Sequence, residues 1–185
     1  MSVPLPESVL VRVLGHPVGQ GNIDFRNGHG VHANAETLQP WRGAISAAAQ
    51  GAARTHRFIT RPGAPKQCAV CRKERLKHAL YFEGGVIVEF VVYMPRRRSQ
   101  ADDVVPVKRT TQDVDHHARA ILDALTDAQV YRDDSQVVDQ HGFQRFVPDG
   151  GLPGAIIRVR PYRAEQDELP PFLEARRAAL PAGMR

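Results

Sequence analysis

Two pairs of aspartates are spaced to do chemistry together. Asp113 and Asp115 flank one residue at the start of a stretch, Asp115 to Thr126, where Ala118, Ile121, Leu122 and Leu125 recur at helical spacing. At a helix start the unpaired N–H groups and the helix dipole favour negative charge, which suits carboxylates that act as anions. Asp133 and Asp134 follow after a short extended piece, Val130 to Arg132. A helix of about 12 residues spans roughly 18 Å, and the returning segment is expected to bring the second pair near the helix start, so that acids from two chain segments converge. Hard divalent cations such as Mg²⁺ prefer oxygen ligands and keep several waters, so two or three carboxylates plus a phosphate suit them. The chemistry such a set supports is metal-assisted cleavage of a phosphodiester. The competing reading of Asp-x-Asp is a helix cap beside an exposed acid. Acids clustered near a basic loop in a basic chain favour the first reading, because structural acids gain nothing by clustering.

The whole chain carries a formal charge of +5. A basic surface attracts polyanions, and neutralising phosphates releases counterions, so nucleic acid is the expected partner. The arrangement says more than the total. Arg96, Arg97 and Arg98 are consecutive, Lys108 and Arg109 stand just before the first acid pair, and Arg72, Lys73, Arg75 and Lys77 are crowded. The first five are the expected DNA contacts. No apolar run approaches the roughly 20 residues that span a bilayer, and the N-terminal MSVPLPES lacks the pattern of a secretory signal. No membrane partner is expected, and the reading is cytoplasmic. Two cysteines, Cys68 and Cys71, imply no disulfide framework. Their Cys-x-x-Cys spacing is half of a tetrahedral zinc site, which His56, His78 or a second copy could complete. Two incidental thiols in a basic loop need no metal, so structural zinc is not the favoured reading.

The elements that must position these residues follow from periodicity and punctuation. Ser8 to Leu14 reads as a first strand, bracketed by Pro6 and Gly15. Gly15 to His32, rich in Gly, His and Asn, reads as a loop whose His16, Arg26, His29 and His32 are free to meet a ligand. Asn34 is expected to cap a helix from Ala35 to about Ala53, or one that starts only at Pro40. Leu38, Trp41 and Ile45 on that helix face a core. Residues from about 55 to 80 read as an insertion. Gly84 and Gly85 lead into the strongest strand, Val86 to Met94, followed by a polar loop with weak strand character at Val104 to Val107. After the second helix come a strand from Gln136 to about Val147, a Pro-Asp-Gly-Gly turn at 148 to 151 and a last strand, Ala155 to Val159. The order gives an α+β domain over residues 1–165, a small mixed sheet with two main helices packed on it. A tail over 166–185 holds a short helix, Pro171 to Leu180.

The segment from Asp113 to Leu125, DVDHHARAILDAL, followed by Val130 to Val138, VYRDDSQVV, strongly resembles the RusA family of crossover junction endodeoxyribonucleases. That pattern is D-x-D-N, a basic residue four places after the second Asp, D-A-L, then an aromatic and D-D-x-Q-V. Upstream, Val31 to Glu36, Trp41-Arg42 and Val86 to Arg98 fit less tightly, and the likeness spans most of residues 8 to 160. It implies a RusA-like fold and a homodimer that binds four-way DNA junctions. It also implies paired symmetric nicks made with Mg²⁺ (or Mn²⁺ as a substitute), in DNA recombination and repair. It makes Asp113, Asp115 and Asp134 the catalytic, metal-binding acids and Arg119 the basic helix residue, usually Lys, one turn after Asp115. Family members often sit in phages and prophages, so the resemblance fits a bacterial or a phage gene. Two features depart from the pattern: His116 stands where Asn is usual, and the insertion has no counterpart in the compact members. Two alternatives stay open: a less selective nuclease on branched or flapped DNA, and a non-catalytic basic DNA-binding module.

Overall fold

Alternation builds the sheet. In β1 (Val9–Leu14) the residues Val9, Val11 and Val13 are buried and Leu10, Arg12 and Leu14 point the other way. The last strand, β6 (Gly154–Pro161), repeats this with Ala155, Ile157 and Val159 buried. Between these lie a hairpin, β2 (Ile23–Arg26) and β3 (His29–His32), then α1 (Ala35–Thr60), β4 (Val86–Met94), α2 (Val114–Asp127) and β5 (Val137–Phe146). A computed structural model of the chain describes residues 8–26, 29–60, 82, 84–96, 105–106 and 113–167.

The four-stranded sheet runs β1-β6-β4-β5. β6 is antiparallel to both β1 and β4, whereas β4 and β5 are parallel. Parallel neighbours cannot be joined by a tight turn and need a crossover, and α2 supplies it. Both helices cover one face: α1 packs on β1 and on α2, and α2 lies against β5. Leu38, Trp41, Ile45 and Ala49 of α1 meet Ala118, Ile121, Ala124 and Leu125 of α2 over Val11, Val88, Phe90 and Ile157. At about 25 cal/mol per Å² of apolar area, each such buried Leu or Ile contributes roughly 1.5–3 kcal/mol. The expected α+β fold, a mixed sheet carrying two helices, is what the chain adopts.

Four expectations need correction. The segment from Gly15 to His32 contains the antiparallel β2–β3 hairpin. Its strands are four residues each, and only β2, Ile-Asp-Phe-Arg, alternates apolar and polar residues, a run too short to stand out from the surrounding Gly, His and Asn. The His32 ring bonds Gly21 O at 3.2 Å and Gln20 Nε2 at 3.3 Å. Asn34 precedes α1 as expected, but its side chain does not cap the helix. Oδ1 accepts from Gly21 N at 3.0 Å and Nδ2 donates to Gly19 O at 2.9 Å, tying the hairpin base to the helix start. Third, α1 begins at Ala35, passes through Pro40 and runs on to Thr60, beyond the end expected near Ala53. Val105 and Pro106 form no strand. The Cys68-Ala-Val-Cys71 segment, most of the insertion and the expected C-terminal helix lie outside the described residues. Among the described residues no helix is long and apolar enough to cross a membrane.

Candidate active site

The start of α2 sits where β1 and β4 end. Leu14 is level with Gly154 and through it with Tyr93, and the loop leaving β1 docks on the helix, Gln20 N donating to His116 O at 2.9 Å. Asp113 occupies the N-cap with extended backbone (φ −70°, ψ 157°), and its carbonyl accepts from His116 N and His117 N at 3.1 and 3.3 Å. Its carboxylate makes no capping bond and is exposed. A carboxylate at an N-cap ordinarily accepts from the second or third helical N–H, so this one is not committed to holding the helix. Asp115 lies exposed in the first turn and accepts from Arg119 Nη2 at 2.9 Å, the expected pair one turn apart.

Asp133 and Asp134 sit at the other end of the sheet. Tyr131, fully buried, bridges to Phe82 in parallel register, and its hydroxyl donates to Leu122 O at 3.1 Å. Gln136 Nε2 donates to both Phe82 O and Gly84 O at 2.8 Å, locking this corner where β4 and β5 begin. Asp133 caps a 3-10 turn (Asp134–Gln136), accepting from Ser135 N at 3.0 Å, and hydrogen bonding from the Ser135 side chain, then from its backbone N–H, holds its carboxyl below the usual range. Asp134, next to it, is exposed.

The expected convergence of the two pairs does not occur within one chain. The parallel crossover requires α2 to run back along the sheet, so its start and its end lie at opposite ends of β4. The 14 residues of α2 span ~21 Å. Among the described residues no three His, Cys, Asp or Glu side chains are grouped to hold a metal ion. The donor chemistry of Asp113, Asp115 and Asp134 suits Mg²⁺, but a single chain does not assemble the set.

Other acids on the same surface are committed to structure. Arg42 of α1 reaches Asp123 at 3.1 Å and Asp127 at 2.8 Å, joining the two helices, so Asp123 acts in packing. Asp139 pairs with His141 at 2.9 Å. Arg96, an expected phosphate contact, is largely covered and ion-paired with Asp149 in the β5–β6 turn. Arg97, Arg98, Lys108, Arg109 and Asp102-Asp103 lie outside the described residues, as do the side chains of His56 and His78.

Sequence reasoning missed His117. It is 1% exposed, on the inward face of α2 one turn beyond Asp113, and neither ring nitrogen has a protein partner. Burial is the main cause that pushes its pKa down to about 4. The available signal was its position within the apolar stripe, adjoining Ala118 and Ile121 in helical projection.

No curated protein matches the chain. The family model described as Endodeoxyribonuclease RusA matches residues 15–160, from the loop after β1 to the end of β6 and including both aspartate pairs. The match covers most of the chain and carries the whole acidic segment through the elements that support it: the protein belongs to the RusA family of endodeoxyribonucleases.

Proposed function

We propose that the protein is a divalent-metal-dependent endonuclease that resolves four-way DNA junctions by paired symmetric nicks, in recombination and repair. Asp113, Asp115 and Asp134 are its catalytic acids in this reading. One observation carries it within the family: the Asp113 carboxylate stands at an N-cap, exposed and spared from capping. Capping is the use that would have explained an Asp there without chemistry.

Arg119, held beside Asp115 by the 2.9 Å bond, balances that carboxylate until a phosphate arrives and then has a guanidinium ready for it. Arg97, Arg98, Lys108 and Arg109, in the segment leading from β4 to α2, contact the DNA backbone. Arg96 joins them only by exchanging Asp149 for a phosphate. Mg²⁺, with Mn²⁺ as a substitute, is the cofactor assigned on the oxygen-only chemistry of the three acids. Two symmetric cuts call for two sites related by a two-fold axis, hence a homodimer.

The test is cleavage of a synthetic four-way junction, a linear duplex and a 5′ flap, with Mg²⁺ and with EDTA, by wild type and Asp115→Asn. Paired, Mg²⁺-dependent nicks on the junction alone, lost in the variant, are the expected result. Equal cutting of all three substrates would demote the protein to a structure-tolerant nuclease. Binding without cutting under any divalent metal would leave a DNA-binding module and remove the catalytic reading.

A further inference from the structure

Both helices lie on one face of the sheet, and among the described residues the other face is open, with Leu10, Phe143 and Ile156 exposed on it. We infer that a groove on this face, between Arg12 of β1 and Tyr93 of β4, binds an unpaired nucleotide, its base stacked on the Tyr93 ring and its phosphate held by Arg12. This rests on the proposed function only in taking branched DNA as the partner. It does not need the aspartates to cut.

Register decides which residues share this face, because directly opposed residues on neighbouring strands point the same way. Across β1-β6-β4-β5 one row reads Arg12, Ile156, Val91 and Phe143, and the next reads Leu14, Gly154, Tyr93 and Arg145. Gly154 interrupts the second row. A Cβ there would fall 2.2 Å from Val13 O, so β1 itself keeps a larger residue from closing the gap. The result is an open groove of about 250 Å³, lined by Arg12, Tyr93, Gly154 and Ile156 of the strands and by Pro148 and Leu152 of the β5–β6 connection. That is below the roughly 300–1,000 Å³ of ordinary small-molecule pockets, and it suits one planar ring rather than a bulky cofactor.

Charge selects an anion for it. The acids of this face are already taken: Glu89 accepts from Arg158 at 2.7 Å, Asp139 pairs with His141 at 2.9 Å and Asp167 with Arg160 at 2.6 Å. Arg12 and Arg145 are exposed and have no ion pair among the described residues. An aromatic ring beside free arginines on apolar ground is the combination that holds single-stranded nucleic acid, the base stacking while the guanidinium meets the backbone. A paired base within a duplex has both faces covered by its neighbours, so the ring offered to Tyr93 is that of an unpaired one. Placement agrees with this occupant. Tyr93 is followed after two residues by Arg96, Arg97 and Arg98, the segment assigned to the DNA backbone. The Leu14–Gly154–Tyr93 row also marks the end of the sheet at which α2 begins with Asp113 and Asp115. A strand opened at a branch point passes from those acids round the sheet end into the groove.

Binding in EDTA tests this without any cutting. A labelled oligothymidylate and a blunt duplex are titrated with wild type, Tyr93→Leu, Tyr93→Trp and Arg12→Gln. Tyr93→Leu is expected to weaken oligothymidylate binding about tenfold, as the loss of one stacked base does, while duplex affinity changes by under about twofold. Tyr93→Trp restores the lost affinity, which a merely structural tyrosine would not show. Arg12→Gln lowers the log–log salt slope of single-strand binding by about 0.7, the signature of one phosphate. A second measurement needs no variant: wild type is irradiated with an oligonucleotide carrying 5-iodouracil, and the crosslinked peptide is identified by mass spectrometry. It is expected to contain Tyr93. Unchanged single-strand affinity in a folded Tyr93→Leu, or a crosslink confined to other peptides, overturns the inference even if wild type resolves junctions. Failure of wild type to bind the oligothymidylate overturns it too and leaves the groove to a protein segment. A Tyr93 crosslink in a protein that cuts nothing keeps the inference and removes only the catalytic reading.

Discussion

The two ends of α2 carry acids of the same type put to opposite uses. At its C-terminal end Asp123 and Asp127 are held by the Arg42 guanidinium of α1, which is 16% exposed and packed between the helices. At its N-terminal end the Asp113 carboxylate makes no capping bond and Asp115 pairs with the exposed Arg119 guanidinium on its own helix. A cap or an interhelical bridge contributes on the order of 1 kcal/mol to stability, and Asp113 forgoes such a contribution. In a helix whose other features agree with its fold, a locally unrewarded carboxylate is what the catalytic role proposed for Asp113 would leave. Residue type alone does not separate the two ends; partners do.

That contrast breaks most visibly in activity. Asp113→Asn is expected to lower junction nicking by at least a hundredfold, roughly 2.7 kcal/mol or more of transition-state stabilisation, while changing unfolding free energy by under ~0.5 kcal/mol. Asp127→Asn should do neither: nicking within twofold of wild type and a stability loss below ~1 kcal/mol. Equal nicking by the two variants would erase the distinction between the helix ends.

The next largest effect concerns His117, between the two ends. Free histidine takes a proton near pH 6.5, whereas buried His117 does so only at about 4. The unfolded chain therefore binds that proton first. The stability contributed by a neutral His117 is present above pH 6.5 and is lost as pH falls from 6.5 towards 4. The shift corresponds to ~3 kcal/mol. Urea unfolding of wild type and His117→Leu at pH 7.5, 6 and 5 reads this directly. The variant should show a flatter profile and, with two orphaned ring nitrogens removed, at least wild-type stability at pH 5. An unchanged slope in the variant would place the pH dependence elsewhere.

The smallest effect sharpens the structural end. Arg42→Ala removes both bridges to α2 and is expected to cost ~1 kcal/mol in thermal or urea unfolding, with nicking per folded molecule retained. A fall in activity without a fall in stability would mean that Arg42 serves the site as well as the core.

Much of this arrangement was legible from local pattern. The Val86 to Met94 strand matches its predicted bounds because an apolar run bracketed by Gly84-Gly85 and Pro95 admits little else. The α2 stripe and the Asp115–Arg119 pair follow from helical spacing. The β2–β3 hairpin was not legible, because its two strands are four residues each and are defined by pairing with each other within a segment rich in Gly, His and Asn. The extension of α1 beyond Ala53 was hidden by a basic, polar stretch that reads as a loop. His117 was passed over for His116 because adjacent histidines differ only in which way the helix turns them.

By itself the sequence determined a family whose acidic segment is contiguous in the chain, a net positive charge and most of the elements that carry both. Distance was decided only by the tertiary structure. Residues on one helix and the turn after it look adjacent when read along the chain. A parallel crossover, however, forces that helix to travel the length of the sheet. Aspartates separated by one helix in sequence therefore stand at opposite ends of the fold.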